Sequence, residues 1–273
     1  MKKRHTLILI FILSINCFSQ STYYSKKYNK VEDSLKIESV FFFQENLTEF
    51  PKEILSFKNV KSINIKFNKI TKIPKEIENL TQLEELILDY NEIIEIPVEL
   101  YKLKKLRTLG LARNKIIKID KKIENLTNLT SLSLGANSFD KIDFDISKFD
   151  KLGHLELNNI KLSNGQVEKV FKLNQLRTLM LNNCNITALP KNGIENILFL
   201  KDIFLDNNNL TAIPNSLFSL NYIQFISLQN NKLKTIPIEQ NSNSIKYLFL
   251  KNNELSESVK EKLRIKYKEN VDL

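Results

Sequence analysis

The sequence predicts an α/β solenoid in which about ten short coils stack, each contributing one strand to a single parallel sheet. One pattern of leucine, isoleucine and asparagine returns about every 23 residues along the chain of 273 residues. All six prolines fall at one phase of this repeat, at Pro51, Pro74, Pro97, Pro190, Pro214 and Pro237. A repeat that runs nearly from end to end favours one elongated domain.

The stretch 83–100, LEELILDYNEIIEIPVEL, shows how each residue type serves one coil. Leu86 and Leu88 lie two positions apart, so in a strand both side chains point to the same, inward face. Asn91 follows where the strand ends, and its amide can donate to and accept from backbone groups that leave the sheet there. Pro97 fixes φ where the outer segment begins.

A buried asparagine ladder is expected along the solenoid, because the position of Asn91 is asparagine in most of the coils. The ladder comprises Asn68, Asn91, Asn114, Asn137, Asn208, Asn231 and Asn253. In the remaining coils Glu45, Ile160 and Cys184 stand at this position. Residues 163–173 predict a short helix that replaces the proline segment of the sixth coil.

These residues resemble the leucine-rich repeat family, in its form LxxLxLxxNxLxxIPxxI with about 23 residues per repeat. Ras-group and scribble-type proteins and many bacterial proteins share this form, and the resemblance covers about residues 37–255. It implies a right-handed β-α superhelix whose curved parallel sheet lines the concave face. It also implies a scaffold that binds a partner, and together with the signal-like start of the chain it indicates a secreted bacterial member of the family.

Covers are expected at both ends of the repeats, because an open solenoid end would expose apolar side chains and unpaired strand groups. Residues 20–36 are expected to form the N-terminal cap. Residues 256–273 predict a C-terminal capping helix that begins at Ser256 or Ser258, with the final residues 271–273 pairing with the sheet edge. Four side chains of this helix are expected to face the tenth coil: Val259, Leu263, Ile265 and Tyr267.

The N-terminal segment predicts export. Residues 1–19 have the form of a signal peptide, with a cationic start at residues 2–4, an apolar run and a cleavage site near Ser19. This predicts a secreted or cell-envelope protein. In the alternative interpretation Cys17 is a lipid-attachment cysteine and the protein is a lipoprotein. No other stretch is long and apolar enough to suggest a membrane span.

The sequence offers little for catalysis. Beyond the signal segment it has one histidine, His154, and one cysteine, Cys184, which belong to different coils. Five scattered glycines do not make a phosphate-binding loop, and the spacing of Cys and His residues fits no metal site. No catalytic residue, cofactor or metal is therefore expected. The net charge of +10 comes largely from lysines in loops, whereas a nucleic-acid reader would line cations along one groove.

The residues that alternate with the core pair of each strand are expected to face the concavity. From Thr108 to Gly135 these side chains are small, so the surface there is expected to be flat. Near the start of the repeats, Phe41 and Phe43 are expected to lie under the N-terminal cap. The C-terminal third carries apolar and acidic side chains there. We take these as the candidate partner-binding residues: Met180, Asp202, Phe204, Asp206, Phe225, Tyr247 and Phe249.

Exposed aromatic side chains on a rigid face tend to concentrate binding energy, so a protein ligand is the leading expectation. Glycan binding is the alternative. In that case the same rings would stack on sugars, and Asn158, Asn182, Asp202 and Asp206 would bind hydroxyl groups. A structural interpretation stays open beside both, in which the rings only strengthen strand pairing.

Overall fold

One parallel sheet runs the length of the molecule. The structure, a computed structural model, describes residues 22–23, 35–238 and 244–273. Within these ranges twelve strands form the sheet, and each pairs in parallel with its neighbours in sequence, so the spatial order is that of the chain. The predicted solenoid is confirmed. Among the described residues no helix is long and apolar enough to cross a membrane.

Several of the predicted N-terminal features lie outside the described residues. They are the signal peptide 1–19, Cys17 and most of the N-terminal cap 20–36. Within the cap region the backbone of Thr22–Tyr23 forms the first strand and pairs with the second. This strand therefore covers one edge of the sheet.

The strands are short and regularly spaced. They are β1 Thr22–Tyr23, β2 Ser39–Phe41, β3 Ser62–Asn64, β4 Glu85–Ile87, β5 Thr108–Gly110, β6 Ser131–Ser133, β7 His154–Glu156, β8 Thr178–Met180, β9 Asp202–Phe204, β10 Phe225–Ser227, β11 Tyr247–Phe249 and β12 Val271–Asp272. We number the coils by their strands, so that coil one contains β2 and coil ten contains β11. The middle residue of every strand from β2 to β11 is buried in the core, as the alternation predicts.

The side of the coils away from the sheet carries short helices. The α-helices are α1 Asn164–Val170, α2 Asn215–Phe218 and α3 Glu257–Tyr267. Single turns of 3₁₀-helix are found at Lys52–Ser56, Lys75–Asn79, Val98–Lys102, Lys121–Asn125, Ile146–Lys148, Ile194–Asn196 and Lys268–Asn270. A helix residue rises less along the chain than a strand residue, so the outer side accommodates more residues per coil.

Proline begins several of these outer segments because its φ is fixed and it donates no backbone hydrogen bond. Pro51, Pro74 and Pro97 precede the first three 3₁₀-helices, with φ of −62°, −69° and −67°. In coil four Asp120 stands in place of proline, and its carboxylate accepts a hydrogen bond from the backbone N–H of Lys122. Capping by the Asp120 carboxylate thus takes the place of the fixed φ of proline.

The predicted helix of coil six is α1. Ser163 caps it, and Gln166 completes a capping box in which each side chain bonds the other residue's backbone N–H. The amide of Gln166 also donates to the carbonyl oxygen of Ile142 in coil five, at 2.7 Å. The helix is therefore tied to the coil before it.

One apolar core fills the coils from end to end. In coil three its members are completely buried: Leu83, Leu86, Leu88, Ile93 and Leu100. Ile96, which the pattern also places inward, is only partly buried but packs against this core. Burying a leucine or isoleucine side chain stabilises a fold by about 1.5–3 kcal/mol, so each coil depends on its neighbours to cover these residues.

The side chain of Asn91 shows how the asparagine ladder joins two coils. Its Oδ1 accepts a hydrogen bond from the backbone N–H of Ile70 at 3.0 Å. Its Nδ2 donates to the carbonyl oxygens of Ile65 and Leu88, both at 3.0 Å. Ile65 and Ile70 belong to the preceding coil, so one amide satisfies backbone groups in both. The same pattern recurs at Asn68, Asn114, Asn137, Asn208, Asn231 and Asn253.

Coils six and seven have no asparagine at this position. Ile160 is completely buried there in coil six. In coil seven the thiol of Cys184 donates to the carbonyl oxygen of Leu157 at 3.1 Å, which replaces one of the amide's bonds. Burial raises the pKa of the Cys184 thiol to about 12, so it stays protonated and serves as a small donor.

The C-terminal helix α3 closes the last coil. The hydroxyl of Ser256 caps it by accepting a hydrogen bond from the backbone N–H of Val259. Leu263 and Tyr267 are buried, but Ile265 is 71 % exposed. The expectation that Ile265 faces coil ten is wrong, because helix residues two positions apart do not face the same side. After the helix, β12 pairs with β11 and covers this edge of the sheet.

We predict that Asn114→Ala lowers the free energy of unfolding by about 2–3 kcal/mol, since it leaves buried backbone groups without partners. Those groups are the N–H of Ile93 and the carbonyl oxygens of Leu88 and Leu111. Urea unfolding followed by circular dichroism measures the change. Asn128→Ala is the control, because both side-chain hydrogen bonds of that asparagine are exposed. Equal losses in the two variants would contradict the role of the ladder.

Candidate functional site

An aromatic cluster lies on the open face of the sheet in coils eight to ten and consists of Phe204, Phe225, Tyr247 and Phe249. Phe225 is at its centre, with its ring centroid 4.9 Å from that of Phe204 and 5.0 Å from that of Phe249. The Tyr247 ring centroid is 6.1 Å from that of Phe225. Tyr247 is 50 % exposed, and the other rings are partly buried. The rings therefore make a continuous apolar surface over three neighbouring strands.

The parallel register brings these rings together. Phe225 pairs with Tyr247, while Ser227 lies in register between Phe204 and Phe249. Ser227 is nearly completely buried. Because serine is small, it leaves room for the Phe225 ring to approach both of its neighbours. Met180 of coil seven is in register with Phe204 and continues the apolar row.

The acidic residues beside the cluster are engaged within the sheet. Oδ1 of Asp206 accepts hydrogen bonds from the hydroxyl of Ser227 at 2.6 Å and the backbone N–H of Gln229 at 2.8 Å. Burial raises the pKa of Asp206 above its usual range, and these two bonds oppose the rise. Burial also raises the pKa of Asp202, against which Lys201 and a hydrogen bond from Thr178 act.

Asp206 belongs to a second series of hydrogen bonds on the open face, which we call the concave ladder: Asp89, Asn158, Asn182 and Asp206. Each side-chain oxygen accepts from the backbone N–H of the residue at the same position one coil further on, at 2.7–2.9 Å. Three of the four polar residues predicted for hydroxyl binding thus use an acceptor oxygen inside the sheet. Asp202 is the fourth and is not part of this series.

The residue just before each position of the buried asparagine ladder adopts the left-handed backbone conformation, with φ between 55° and 63° in all ten coils. In coils six to ten this residue is an asparagine, at Asn159, Asn183, Asn207, Asn230 and Asn252. Asparagine tolerates this conformation, whereas other L-residues incur a cost of about 1–2 kcal/mol. In coils two to four the position holds Phe67, Tyr90 and Arg113.

These three side chains form a row with Phe43 along the side of the sheet where the strands end. We call this row the N-terminal edge stack. Ring centroids are 5.2 Å apart between Phe43 and Phe67 and 4.1 Å between Phe67 and Tyr90. The guanidinium carbon of Arg113 lies 5.1 Å from the Tyr90 centroid, a cation–π contact. Phe43, Phe67 and Tyr90 are 38 %, 39 % and 42 % exposed, and most of the cap that was expected to cover Phe43 lies outside the described residues.

The sequence analysis missed this row. Its signal was available, since each member except Phe43 immediately precedes a ladder asparagine. The position belongs to a turn, so its residues become informative only by comparison between coils. The comparison separates coils two to four, with aromatic and cationic residues, from coils six to ten, with asparagine.

The model of the leucine rich repeat family matches residues 58–116, which include β3, β4 and β5 with their ladder asparagines. The chain has the leucine-rich repeat fold. No curated protein matches it significantly.

Solved leucine-rich repeat structures share the fold. The Arabidopsis receptor kinase HAESA ectodomain is 24 % identical over 81 % of this chain and 39 % of its own, with a TM-score of 0.70. InlJ from Listeria monocytogenes is 23 % identical over 85 % of this chain and 48 % of its own, with a TM-score of 0.69. The Arabidopsis thaliana receptor kinase GASSHO1/SCHENGEN3 is 25 % identical over 76 % of this chain and 26 % of its own, with a TM-score of 0.61. This repeat chain spans between about a quarter and a half of their lengths.

The repeats offer few groups suited to metal binding. In the described ranges no group of three or more His, Cys, Asp and Glu side chains could hold a metal ion. His154 and Glu156 lie on the open face of β7 and are partly buried. Burial lowers the pKa of His154 and raises that of Glu156, so in both cases the neutral form is favoured.

The carboxyl group of Asp89, in the third repeat, has a strongly raised pKa. Burial raises its pKa from 3.8 to about 7, against the effect of its hydrogen bond from Ala112. The carboxylate lies directly over Gly110, where a Cβ atom would be 2.2 Å from Oδ2 of Asp89. Glycine at 110 is therefore what lets Asp89 join the concave ladder.

The raised pKa of Asp89 predicts a pH-dependent stability. The unfolded residue ionises near 3.8, but the folded residue stays protonated until about pH 7, so wild-type stability should fall as pH rises through this window. Asp89→Asn keeps an acceptor for the Ala112 N–H, as Asn158 does for Asn182, and removes the ionisation. We expect the free energy of unfolding of this variant to exceed that of the wild type by about 1–2 kcal/mol at a pH of about 8, and by much less at a pH of about 3.

Urea unfolding over a pH series measures this difference. Asp143→Asn is the control, because that carboxyl group is exposed and its one ion pair is long, at 3.9 Å. A pH dependence of stability that is the same in wild type and Asp89→Asn would contradict the assignment to Asp89.

Proposed function

We propose that this leucine-rich repeat protein is a non-enzymatic scaffold that binds a protein partner through its concave face, mainly in coils seven to ten. The aromatic cluster is the observation that carries the proposal. It places four rings side by side on a sheet whose backbone is fixed on both sides by neighbouring strands. A rigid apolar surface loses little conformational entropy on binding, so more of the contact energy appears as affinity.

Within the cluster Phe225 is the expected anchor. Its ring contacts Phe204, Phe249 and Tyr247, so a partner side chain that covers Phe225 also contacts its neighbours. Tyr247 adds a half-exposed ring with a hydroxyl group, a combination that is frequent in binding hot spots. Met180, Asp202 and Asp206 border the rings and are the proposed rim of the contact.

Two solved relatives support a protein or peptide partner. The HAESA ectodomain was solved in complex with an N-terminally extended IDA peptide hormone. The GASSHO1/SCHENGEN3 ectodomain was solved with CASPARIAN STRIP INTEGRITY FACTOR 2. We extend to this protein the binding of a protein or peptide ligand that these two complexes record.

The side-chain chemistry favours a protein over a glycan. A sugar-binding site needs free acceptors for hydroxyl groups, but Asn158, Asn182 and Asp206 use acceptor oxygens in the concave ladder. The rings are also inclined to one another by 31° to 48°, which does not provide one flat platform for a sugar ring. Apolar side chains of a protein can fill such an uneven surface.

We predict that replacing Phe204, Phe225 and Phe249 with Ala reduces capture of the native partner by about tenfold or more, because it removes the centre of the contact. The full chain, immobilised, is exposed to proteins from the native cell surface, and recovery is quantified by mass spectrometry. Circular dichroism establishes that the variant is folded, and Tyr247→Ala tests the same surface with less effect on packing. A glycan array in parallel tests the alternative ligand.

The matched control removes exposed aromatic rings elsewhere. Phe199 and Tyr222 are 41 % and 58 % exposed and lie in the loops before β9 and β10. Phe199→Ala with Tyr222→Ala should leave capture unchanged. Undiminished capture by the folded triple variant, or a glycan hit that the triple variant loses, would overturn the proposal of a protein partner.

We also propose that the protein acts outside the cytoplasm, on the basis of the signal-like residues 1–19. The intact mass of the exported protein in its native host is expected to correspond to a chain that begins at Gln20. Lipid attachment at Cys17 would instead leave a chain that begins at Cys17 with an added lipid mass. A product that retains residues 1–19 would contradict export by this segment.

A further inference from the structure

We propose that the N-terminal edge stack is a second docking surface, which takes a protein segment that carries carboxylates next to apolar side chains. The stack lies on coils one to four, whereas the aromatic cluster lies on coils eight to ten. The two surfaces share no residue. Three properties of the stack support the proposal: its backbone conformation, its exposure and its charge.

The backbone conformation shows that the coil does not require these side chains. The repeat needs a residue with positive φ at this position, and five coils use asparagine, which adopts that conformation readily. Coils two to four place Phe67, Tyr90 and Arg113 there with the same φ. Strained positions of this kind cluster at ligand-binding sites, where the side chain itself is needed. Mutual stacking offsets part of the strain, but asparagine would avoid it.

The rings are also exposed as one continuous row. Phe43, Phe67 and Tyr90 each expose more than a third of their surface, one ring on each of three successive coils. Exposed large apolar side chains grouped in this way mark interaction sites more often than isolated ones do. The row follows the stacking direction of the coils, so an extended segment could contact all three rings.

Two cations lie against the rings of the row. Nζ of Lys66 lies 5.6 Å from the Phe43 centroid and 6.0 Å from the Phe67 centroid, and Arg113 covers the far side of Tyr90. In the described part of the chain, neither cation is a member of any salt bridge, whereas nearby Glu92 is paired with Lys115 at 2.9 Å. The row thus has Lys66 beside its first two rings and Arg113 at its far end. Lys66 also acts electrostatically on Asp89, and Arg113 on Glu156. Neither cation is tied to one carboxylate by a salt bridge among the described residues, so both can bind carboxylates of a partner.

The orientation of the rings points to the same chemistry. Phe67 and Tyr90 are stacked with an interplanar angle of 19°, and Arg113 lies against Tyr90, so the ring faces are largely occupied. The stack therefore presents ring edges to solvent. Ring edges carry partial positive charge and favour contact with carboxylate and carbonyl oxygens. A neutral sugar, which needs an open ring face, fits less well than an acidic peptide.

The test uses selection from a displayed library of random short peptides on the immobilised full chain. The counter-selection uses the variant Phe67→Asn, Tyr90→Asn and Arg113→Asn, which places at each position the residue that coils six to ten already carry. We expect this variant to fold and to melt no lower than the wild type. Enriched peptides should be net negative with aromatic or aliphatic residues, and should bind the variant about tenfold more weakly or worse.

A second variant separates charge from apolar contact. Lys66→Gln with Arg113→Gln keeps the rings. In coil one, glutamine already occupies the position equivalent to Arg113, at Gln44. It should lose most of the affinity for the acidic peptides, and the loss should resemble the effect of high salt. The variant of Phe204, Phe225 and Phe249 is the control for the other surface and should bind these peptides as the wild type does.

Three outcomes would overturn the proposal. In the first, no peptide is enriched over the counter-selection. In the second, the enriched peptides are neutral or basic. In the third, heparin fragments bind the stack in preference to the acidic peptides, which would assign it to an anionic glycan. None of these results bears on the aromatic cluster, whose test uses different residues.

Discussion

Everything in this molecule depends on the turn that ends each strand. A strand of three residues leaves backbone N–H and C=O groups without partners as the chain turns into a dry core, and such groups are costly when unpaired. The ladder asparagine satisfies them with one amide, as Asn91 does for groups of two coils. The residue before it must adopt positive φ to bring the amide inward. One local solution, repeated, therefore sets the sheet, the core and the edge.

The same turn determines which residues are free to serve function. Core leucines and ladder asparagines are fixed by the coil, and the concave ladder uses further polar residues such as Asn158 and Asp206. The positions that remain variable are the strand residues that face the concavity and the residue with positive φ. The aromatic cluster occupies the first kind of position, with Phe225 at its centre, and the edge stack occupies mainly the second. The two surfaces thus use different variable positions of the same repeat.

The sequence predicts the solenoid well because periodicity is a local signal that ten coils repeat. Strand positions, the helix of coil six and the capping role of Ser256 follow from it. Contacts between side chains of different coils do not. The hydrogen bonds of Asp206 depend on atoms of Ser227 and Gln229, which no spacing rule reveals. A single coil likewise does not show that the ring of Tyr90 meets Phe67, or that the backbone conformation of Tyr90 is one that bulky residues avoid.

The interruption of the asparagine ladder has a consequence for cooperativity. Asn137 is the last amide of the first run and Asn208 the first of the second, with Ile160 and Cys184 between them. Coils five, six and seven share the sheet and the core but no asparagine rung, and single bonds from Gln166 and Cys184 stand in its place, so the junctions of coil six have fewer side-chain ties to the backbone than those on either side. In a chain where each repeat is stabilised by its nearest neighbours, such a junction acts as a seam between two cooperative units. Each binding surface lies on its own side of the seam, so a ligand on one would stabilise that half alone, and only a ligand that spans both would hold the solenoid as a single body.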